Sequence, residues 1–153
     1  MIWTVAQPEL VLAVGVMALL MLGVFRGNKS TDMVGLLSAL LLVVVLVLSL
    51  TNETGVAFDG LFIEDQFTGF VKVLVLVGSA VAVLMAIEYC RREDMQRFEY
   101  PILMAVAALG MLMMVSANDF IALYMGIELQ SLSLYVLAAF RRDALRSTEA
   151  GLK

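Results

Sequence analysis

The sequence predicts an all-α integral membrane protein, with five membrane-spanning helices and the start of a sixth. Hydrophobic residues make up 62% of the 153 residues and charged residues only 16%, which is far from the composition of a soluble domain. Five apolar stretches of roughly 17 to 21 residues are each long enough to cross the hydrocarbon core of a bilayer. They form a single membrane domain over residues 1–153, with predicted spans at residues 9–25, 33–50, 69–88, 101–117 and 120–140.

The first two spans are almost wholly apolar. No Lys or Arg precedes the first span, and because a secretory signal needs a basic leader, we expect an uncleaved span there. Pro8 stands at a position where a helix can begin. The second span contains the run LLLVVVLVLSL, which has no polar face. It is therefore expected to contact lipid and to serve as a scaffold.

An acidic segment, residues 51–68, connects the second and third spans. Its stretch VAFDGLFIED alternates apolar and polar residues, which favours a short β-hairpin. Asp59-Gly60 is expected at the turn, because this dipeptide readily adopts the backbone angles that tight hairpins require.

The third span carries a stripe of small residues and one lysine. Gly78, Ala82 and Ala86 recur every four residues, a spacing that predicts the close approach of another helix. Lys72 lies in the first turn and has two interpretations. Its long side chain can snorkel to the outer interface, which the sequence favours, or it can support a proton relay.

The fourth span opens with Pro101, where the missing amide hydrogen is tolerated. Asn118 and Asp119 form a very short turn into the fifth span, and either side chain can cap the new helix. Spans four and five are therefore predicted to be antiparallel neighbours.

A further helix is predicted near the end of the chain. Ser147 or Thr148 can cap a helix that begins near Glu149, and the chain ends at Lys153, soon after this pattern. We expect the sequence to be an N-terminal fragment of a longer protein.

The fifth span contains one carboxylic acid, Glu128, near its middle. A helix over residues 120–140 measures roughly 31 Å, so Glu128 lies close to the bilayer midplane. A charge at that depth costs about 3 kcal/mol and indicates a functional site, here a proton site. Tyr124, Ser131 and Tyr135 share its helix face and can orient water beside it. The alternative is that Glu128 only hydrogen-bonds a neighbouring helix.

The basic residues are distributed unevenly along the chain. Eight of the ten lie in the first and third connecting segments and after the fifth span. By the positive-inside rule these segments face the cytoplasm and the amino terminus lies outside. The eight residues are Arg26, Lys29, Arg91, Arg92, Arg97, Arg141, Arg142 and Arg146.

Composition also excludes several kinds of site. The chain has no His and one Cys, Cys90, so no iron–sulfur, haem or zinc site is expected in it. No glycine-rich phosphate loop is present, and no NADH, flavin or quinone site is expected. The hydrophobic composition predicts the lipid bilayer as a partner. The net charge of −4 says nothing about nucleic acid, but the charges are confined to short loops and no basic face exists, so no nucleic-acid partner is expected.

Several motifs resemble a known family of membrane proteins. They are NDFIALYMGIEL, the DQFTGF stretch before span three, SAND at the end of span four, GIELQSLSLYVLAAF and STEAGLK, which together cover most of residues 60–153. The chain resembles the antiporter-like membrane subunits of the proton-translocating NADH:quinone oxidoreductase, respiratory complex I. Its STEAGLK ending favours subunit N.

The resemblance implies a bundle of about fourteen helices built from two inverted five-helix units, each with a broken helix that forms a half-channel. Glu128 matches the fifth-helix glutamate, which pairs with a lysine two helices later. Lys153 matches a lysine near the start of the sixth helix on the same proton path. The partner lysine and the broken helices are then expected beyond Lys153.

The resemblance also implies the setting of the protein. NADH, FMN, iron–sulfur clusters and quinone would be held by partner subunits, and the neighbours would be other antiporter-like and small membrane subunits. A bacterial inner membrane is expected, rather than a mitochondrial one. Two other functions stay open: a subunit of a multi-subunit sodium/proton antiporter, driven by an ion gradient, and a passive membrane scaffold.

Overall fold

A computed structural model describes residues 2–141 and 143–153, and the side chains of Ile2, Trp3 and Asn28 are not part of that description. Five of its helices are long and apolar enough to cross a membrane. This confirms the predicted all-α membrane fold with five spans. In chain order the elements are α1 (Ile2–Val5), α2 (Gln7–Arg26), α3 (Thr31–Thr51), β1 (Gly55–Ala57), β2 (Phe62–Glu64), α4 (Gln66–Arg92), α5 (Glu99–Ser116), α6 (Phe120–Ala138) and α7 (Leu145–Leu152).

Helix α4 is longer than a bilayer requires. Its 27 residues extend about 40 Å, beyond both limits of the predicted span at residues 69–88. The side chain of Asp65 caps its first turn by accepting a hydrogen bond from the backbone N–H of Thr68 at 2.7 Å. This bond lowers the pKa of Asp65. The additional first turn carries α4 up to the segment that follows β2.

Strands β1 and β2 form the predicted hairpin. They pair antiparallel, with Gly55 opposite Glu64, and Asp59 and Gly60 take positive φ angles of 54° and 94° in the turn. The hairpin is fixed to the bundle by Asn118, whose backbone N–H donates to the Leu61 carbonyl at 2.9 Å. We call this the hairpin end of the bundle. The first residues of α2, α4 and α6 and the last residues of α3 and α5 lie there.

Helices α5 and α6 are antiparallel neighbours, as predicted, and Asp119 caps α6. They touch at Gly110 and Gly126, where a Cβ on Gly110 would lie 2.7 Å from the backbone N of Gln130. In the small-residue stripe of α4, Ala86 is buried, with 8% exposure. Gly78 is exposed, and nothing in the described chain lies within 4 Å of a Cβ built there. The close approach of another helix at Gly78 therefore stays a prediction.

Helix α7 begins at Leu145, four residues before the predicted start near Glu149. The proposed caps are wrong, because Ser147 and Thr148 lie inside the helix. The Ser147 hydroxyl instead donates to the Ala138 carbonyl at 2.7 Å, so it closes the last turn of α6. A hydroxyl near a helix end can hydrogen-bond to the backbone of its own helix or of a neighbouring helix, and the tertiary contact determines which acceptor it uses.

The opposite end of the bundle carries exposed ion pairs, and we call it the basic end. Arg91 pairs with Asp32 at 2.9 Å, and Arg141 pairs with Glu93 at 3.0 Å. The first pair joins α4 to the start of α3, and the second joins the segments after α4 and α6. Arg142, one of the residues behind the predicted orientation, lies outside the described residues.

Candidate functional site

Glu128 lies at the middle of α6, on the side away from α5. Successive residues of a helix are rotated by about 100° around its axis. Gly126 is buried against α5, and the opposite face of α6 carries Tyr124, Glu128, Ser131 and Tyr135. Tyr124 and Tyr135 are 61% and 56% exposed. Glu128 is partly buried, and within the described residues its carboxyl has no hydrogen bond or ion pair. Within the described chain, no other helix covers the predicted polar face of α6.

Lys153 is exposed and follows directly after α7. Two residues earlier, Gly151 packs on α6, where a Cβ on it would lie 2.4 Å from the Cβ of Ala139 and 3.3 Å from the Tyr135 carbonyl oxygen. Helix α7 thus rests on the basic end of α6. Within residues 2–141 and 143–153, no ion pair joins Lys153 to Glu128. Their predicted shared proton path stays a prediction.

Lys72 does not snorkel to the interface, so the favoured interpretation of this lysine is wrong. Its side chain is 0% exposed, and its Nζ lies 2.5 Å from Glu9 Oε1 and is ion-paired with Glu64 Oε2. Glu9 comes from α2 and Glu64 from β2. The ammonium is therefore neutralised inside the protein.

Four elements meet at this cluster, because α5 contributes Ser116, whose hydroxyl donates to Glu9 Oε1 at 3.1 Å. The other oxygen, Glu9 Oε2, is buried and has no hydrogen-bond partner in the part of the chain that the structure describes. Two carboxylates around one ammonium carry a net charge of −1. Such a charge is costly to bury, because a low-dielectric interior disfavours unpaired ions.

Glu64 is almost fully buried, and it is the member of the cluster that borders an open cavity. Burial raises the pKa of its carboxyl, while the hydrogen bond and charge of Lys72 act in the opposite direction. The carboxyl lines an open cavity of about 340 Å³ at the hairpin end, together with Ser49, Asn52 and Asp65. Ser49 is 6% exposed, and its hydroxyl has no partner among the described residues.

Glu9 and Glu64 were not candidates from the sequence. Glu9 reads as the first residue of a span, and Glu64 as one of several acids in a loop. A lysine inside an apolar span needs a counterion if it stays buried, so Lys72 itself was the available indication. The hairpin and the meeting of α2 with α4 decide which acids supply it.

Comparisons with known proteins match nearly the whole chain. The family described as "NADH:quinone oxidoreductase/Mrp antiporter, TM" matches residues 117–153, which include Glu128 and Lys153. NADH-quinone oxidoreductase subunit N of Paramagnetospirillum magneticum is 60% identical over 95% of this chain and 30% of its own length. NADH-quinone oxidoreductase subunit N 1 of Rhizobium meliloti is 52% identical over 97% of this chain and 31% of its own length. Subunit N of Parvibaculum lavamentivorans is 54% identical over the same shares.

The chain spans about 30% of the length of these curated relatives. The resemblance recognised from the motifs at residues 60–153 is thereby confirmed, and it extends over almost all of the chain. The spans before Asp65, for which the motifs gave little indication, are part of the same similarity.

Proposed function

We propose that this chain, whose homologues are named NADH-quinone oxidoreductase subunit N, is part of a proton-translocating membrane subunit of respiratory complex I. One observation carries the proposal. Glu128 is a carboxyl at the middle of the apolar helix α6, without an ion pair inside the described chain, within the stretch that matches the family. An acid in this setting marks an ion pathway more often than a structural contact.

The proposed mechanism is electrostatic. Within a low-dielectric membrane an ionised Glu128 is costly, and a nearby ammonium offsets that cost strongly, because charges interact over longer distances there than in water. Movement of an ammonium toward or away from Glu128 would then drive the carboxyl to release or take up a proton. Tyr124, Ser131 and Tyr135 would orient water on the same face. Lys153 would lie further along the pathway.

The setting of the protein is also part of the proposal. NADH, FMN, iron–sulfur clusters and quinone would be bound by partner subunits, and this chain would contribute transport to the enzyme without redox chemistry of its own. Antiporter-like and small membrane subunits would cover the open face of α6. In a bacterial inner membrane, the positive-inside rule would put the basic end in the cytoplasm and the amino terminus outside.

The first test replaces Glu128 by Gln in the gene that encodes the chain. Gln keeps hydrogen bonding but cannot ionise, so a proton site should lose its function. We expect NADH-driven acidification of membrane vesicles to fall at least tenfold, and quinone reduction to fall with it, while the complex stays assembled. Glu88→Gln is the matched control, since Glu88 is an exposed acid at the basic end of α4, paired with Arg92. Unchanged pumping in Glu128→Gln would contradict a proton site and would support the alternative that Glu128 only hydrogen-bonds a neighbouring helix.

A sodium/proton antiporter subunit is the second candidate, because the description of the matching family also names an Mrp antiporter. It would use an existing ion gradient and would need no NADH. Vesicles without NADH distinguish the two functions. Sodium-driven proton movement that depends on Glu128 would favour the antiporter, whereas movement that requires NADH supports the complex I subunit.

A further inference from the structure

We propose that Glu9, Lys72 and Glu64 form a second proton-binding site, which exchanges one proton with water at the hairpin end. The proton would be shared between the two carboxyls and would enter through the cavity beside Glu64. A role for this site in transport rests on the proposed function, but the binding of the proton does not. The site lies on α2, β2 and α4, apart from the face of α6 that carries Glu128.

The charge count of the cluster supports one bound proton. Lys72 balances one of the two carboxylates, and the second is left as an excess negative charge inside the bundle. Glu9 is 6% exposed, and its Oε2 has no hydrogen-bond partner among the described residues. An ionised carboxyl with an unpaired buried oxygen costs more than a neutral one. One added proton therefore makes the site neutral.

The surrounding groups do not remove this excess charge. Helix α5 contributes only the neutral hydroxyl of Ser116, and α3 contributes Ser49 beside the cavity. Asp65, which precedes α4, adds a further negative charge near Glu64. Lys72 is the positive group that the described elements around the site supply. Neighbouring charge thus favours the uptake of a proton.

Access to water is provided by the cavity at the hairpin end. It is open, has a volume of about 340 Å³ and is lined by Glu64, so it has room for several water molecules. Ser49 lines the same cavity, and its hydroxyl is buried and lacks a partner in the described chain. A water molecule in the cavity would hydrogen-bond to the carboxyl of Glu64. Such water would deliver the proton to a carboxylate oxygen and receive it again on release.

A static ion pair is the competing explanation. In that case Lys72 would only hold the hairpin on the bundle, and no proton would be exchanged in the physiological pH range. The two explanations differ in whether the cluster contains a protonated carboxyl that titrates. Infrared spectroscopy detects this directly, because a protonated carboxyl has a carbonyl-stretch band that the carboxylate lacks.

The test uses the assembled complex in vesicles, with wild type compared against Glu64→Gln, Glu9→Gln and the control Glu53→Gln. Glu53 is an exposed acid of the same acidic segment. The pH is changed on one side of the membrane at a time, between about pH 5 and 9, the range in which buried carboxyls titrate. The difference spectrum of wild type minus variant isolates the band of the replaced group.

We expect the protonated-carboxyl band to be present in wild type and in Glu53→Gln. It should disappear as the pH rises on the side that the hairpin faces. Both Glu64→Gln and Glu9→Gln should lack it, because removing either acid leaves one carboxylate balanced by Lys72. If Glu64→Gln does not assemble, Glu9→Gln still gives the result, since it retains the pair of Lys72 with Glu64.

Absence of the band in wild type would overturn the proposal. So would a response to pH on the opposite side, or loss of the band in only one of the two variants. None of these measurements requires electron transfer. The failure of this site is therefore distinguishable from failure of the proposed function, which is tested by Glu128→Gln.

Discussion

At the scale of single residues, Lys72 shows how a charge can be retained inside a membrane domain. Its ammonium is in contact with carboxyls from α2 and β2 and has no exposure. A buried ion pair adds little net stability, but the removal of one partner leaves an uncompensated charge. The ion pairs of Lys72 therefore add little stability, but the loss of Lys72 would leave an uncompensated buried charge and destabilise the protein.

Lys72→Met tests this at the residue scale. It removes the cation of the cluster and leaves buried carboxylate charge uncompensated, so we expect a destabilisation of about 3 to 5 kcal/mol and a strong loss of assembled complex, measured on native gels of detergent-solubilised membranes. Adding Glu9→Gln and Glu64→Gln to Lys72→Met should recover part of the loss, since no unpaired charge then remains. Lys29→Met is the control, because Lys29 is exposed at the basic end. No recovery in the triple variant would contradict the electrostatic explanation.

At the scale of elements, the contact between α5 and α6 depends on two glycines. Gly110 and Gly126 let the two backbones approach until a Cβ on either would lie within 3 Å of the other helix. The contact determines which side of α6 faces inward. It therefore also directs the Glu128 face outward.

Gly110→Ala should separate these helices. The added methyl group would lie 2.7 Å from the backbone N of Gln130, and overpacking of this kind costs about 1 to 3 kcal/mol. We expect a lower midpoint of thermal unfolding for the solubilised complex and reduced proton pumping. Gly78→Ala is the matched control on α4, because nothing in the described chain lies near that position. Equal damage from both changes would refute a specific role for the α5–α6 contact.

At the scale of the whole molecule, the charges separate the two ends of the bundle. The hairpin end carries acidic residues, and the basic end carries the exposed arginine pairs with Asp32 and Glu93. The positive-inside rule concerns insertion of the chain into the membrane. It predicts an orientation for every span at once, since the spans are connected in series.

Cysteine labelling measures this orientation in intact cells. A membrane-impermeant thiol reagent should label Asp59→Cys, which lies in the exposed turn of the hairpin, and should not label Arg97→Cys at the basic end until the cells are opened. The native Cys90 is buried, so its background labelling should be low. The reverse pattern would place the amino terminus in the cytoplasm.

Several features follow from local sequence alone. The five spans, the hairpin turn at Asp59-Gly60 and the cap at Asp119 depend on hydropathy over a window, on backbone preference and on a neighbouring amide. None of them requires a distant partner. The start of α7 and the burial of Lys72 were mispredicted, because α7 depends on contacts with the end of α6 and Lys72 on contacts with α2 and β2.

The sequence by itself determined the membrane fold, the number of spans, the central position of Glu128 in its span and the family resemblance, because hydropathy and motif spacing are properties of contiguous residues. Only the tertiary structure decided that Lys72 is buried with Glu9 and Glu64, which lie 63 and 8 positions away in the chain. It also decided that the Glu128 face is turned away from α5. Both facts depend on which helices pack together, and uniformly apolar helix faces do not encode that choice locally.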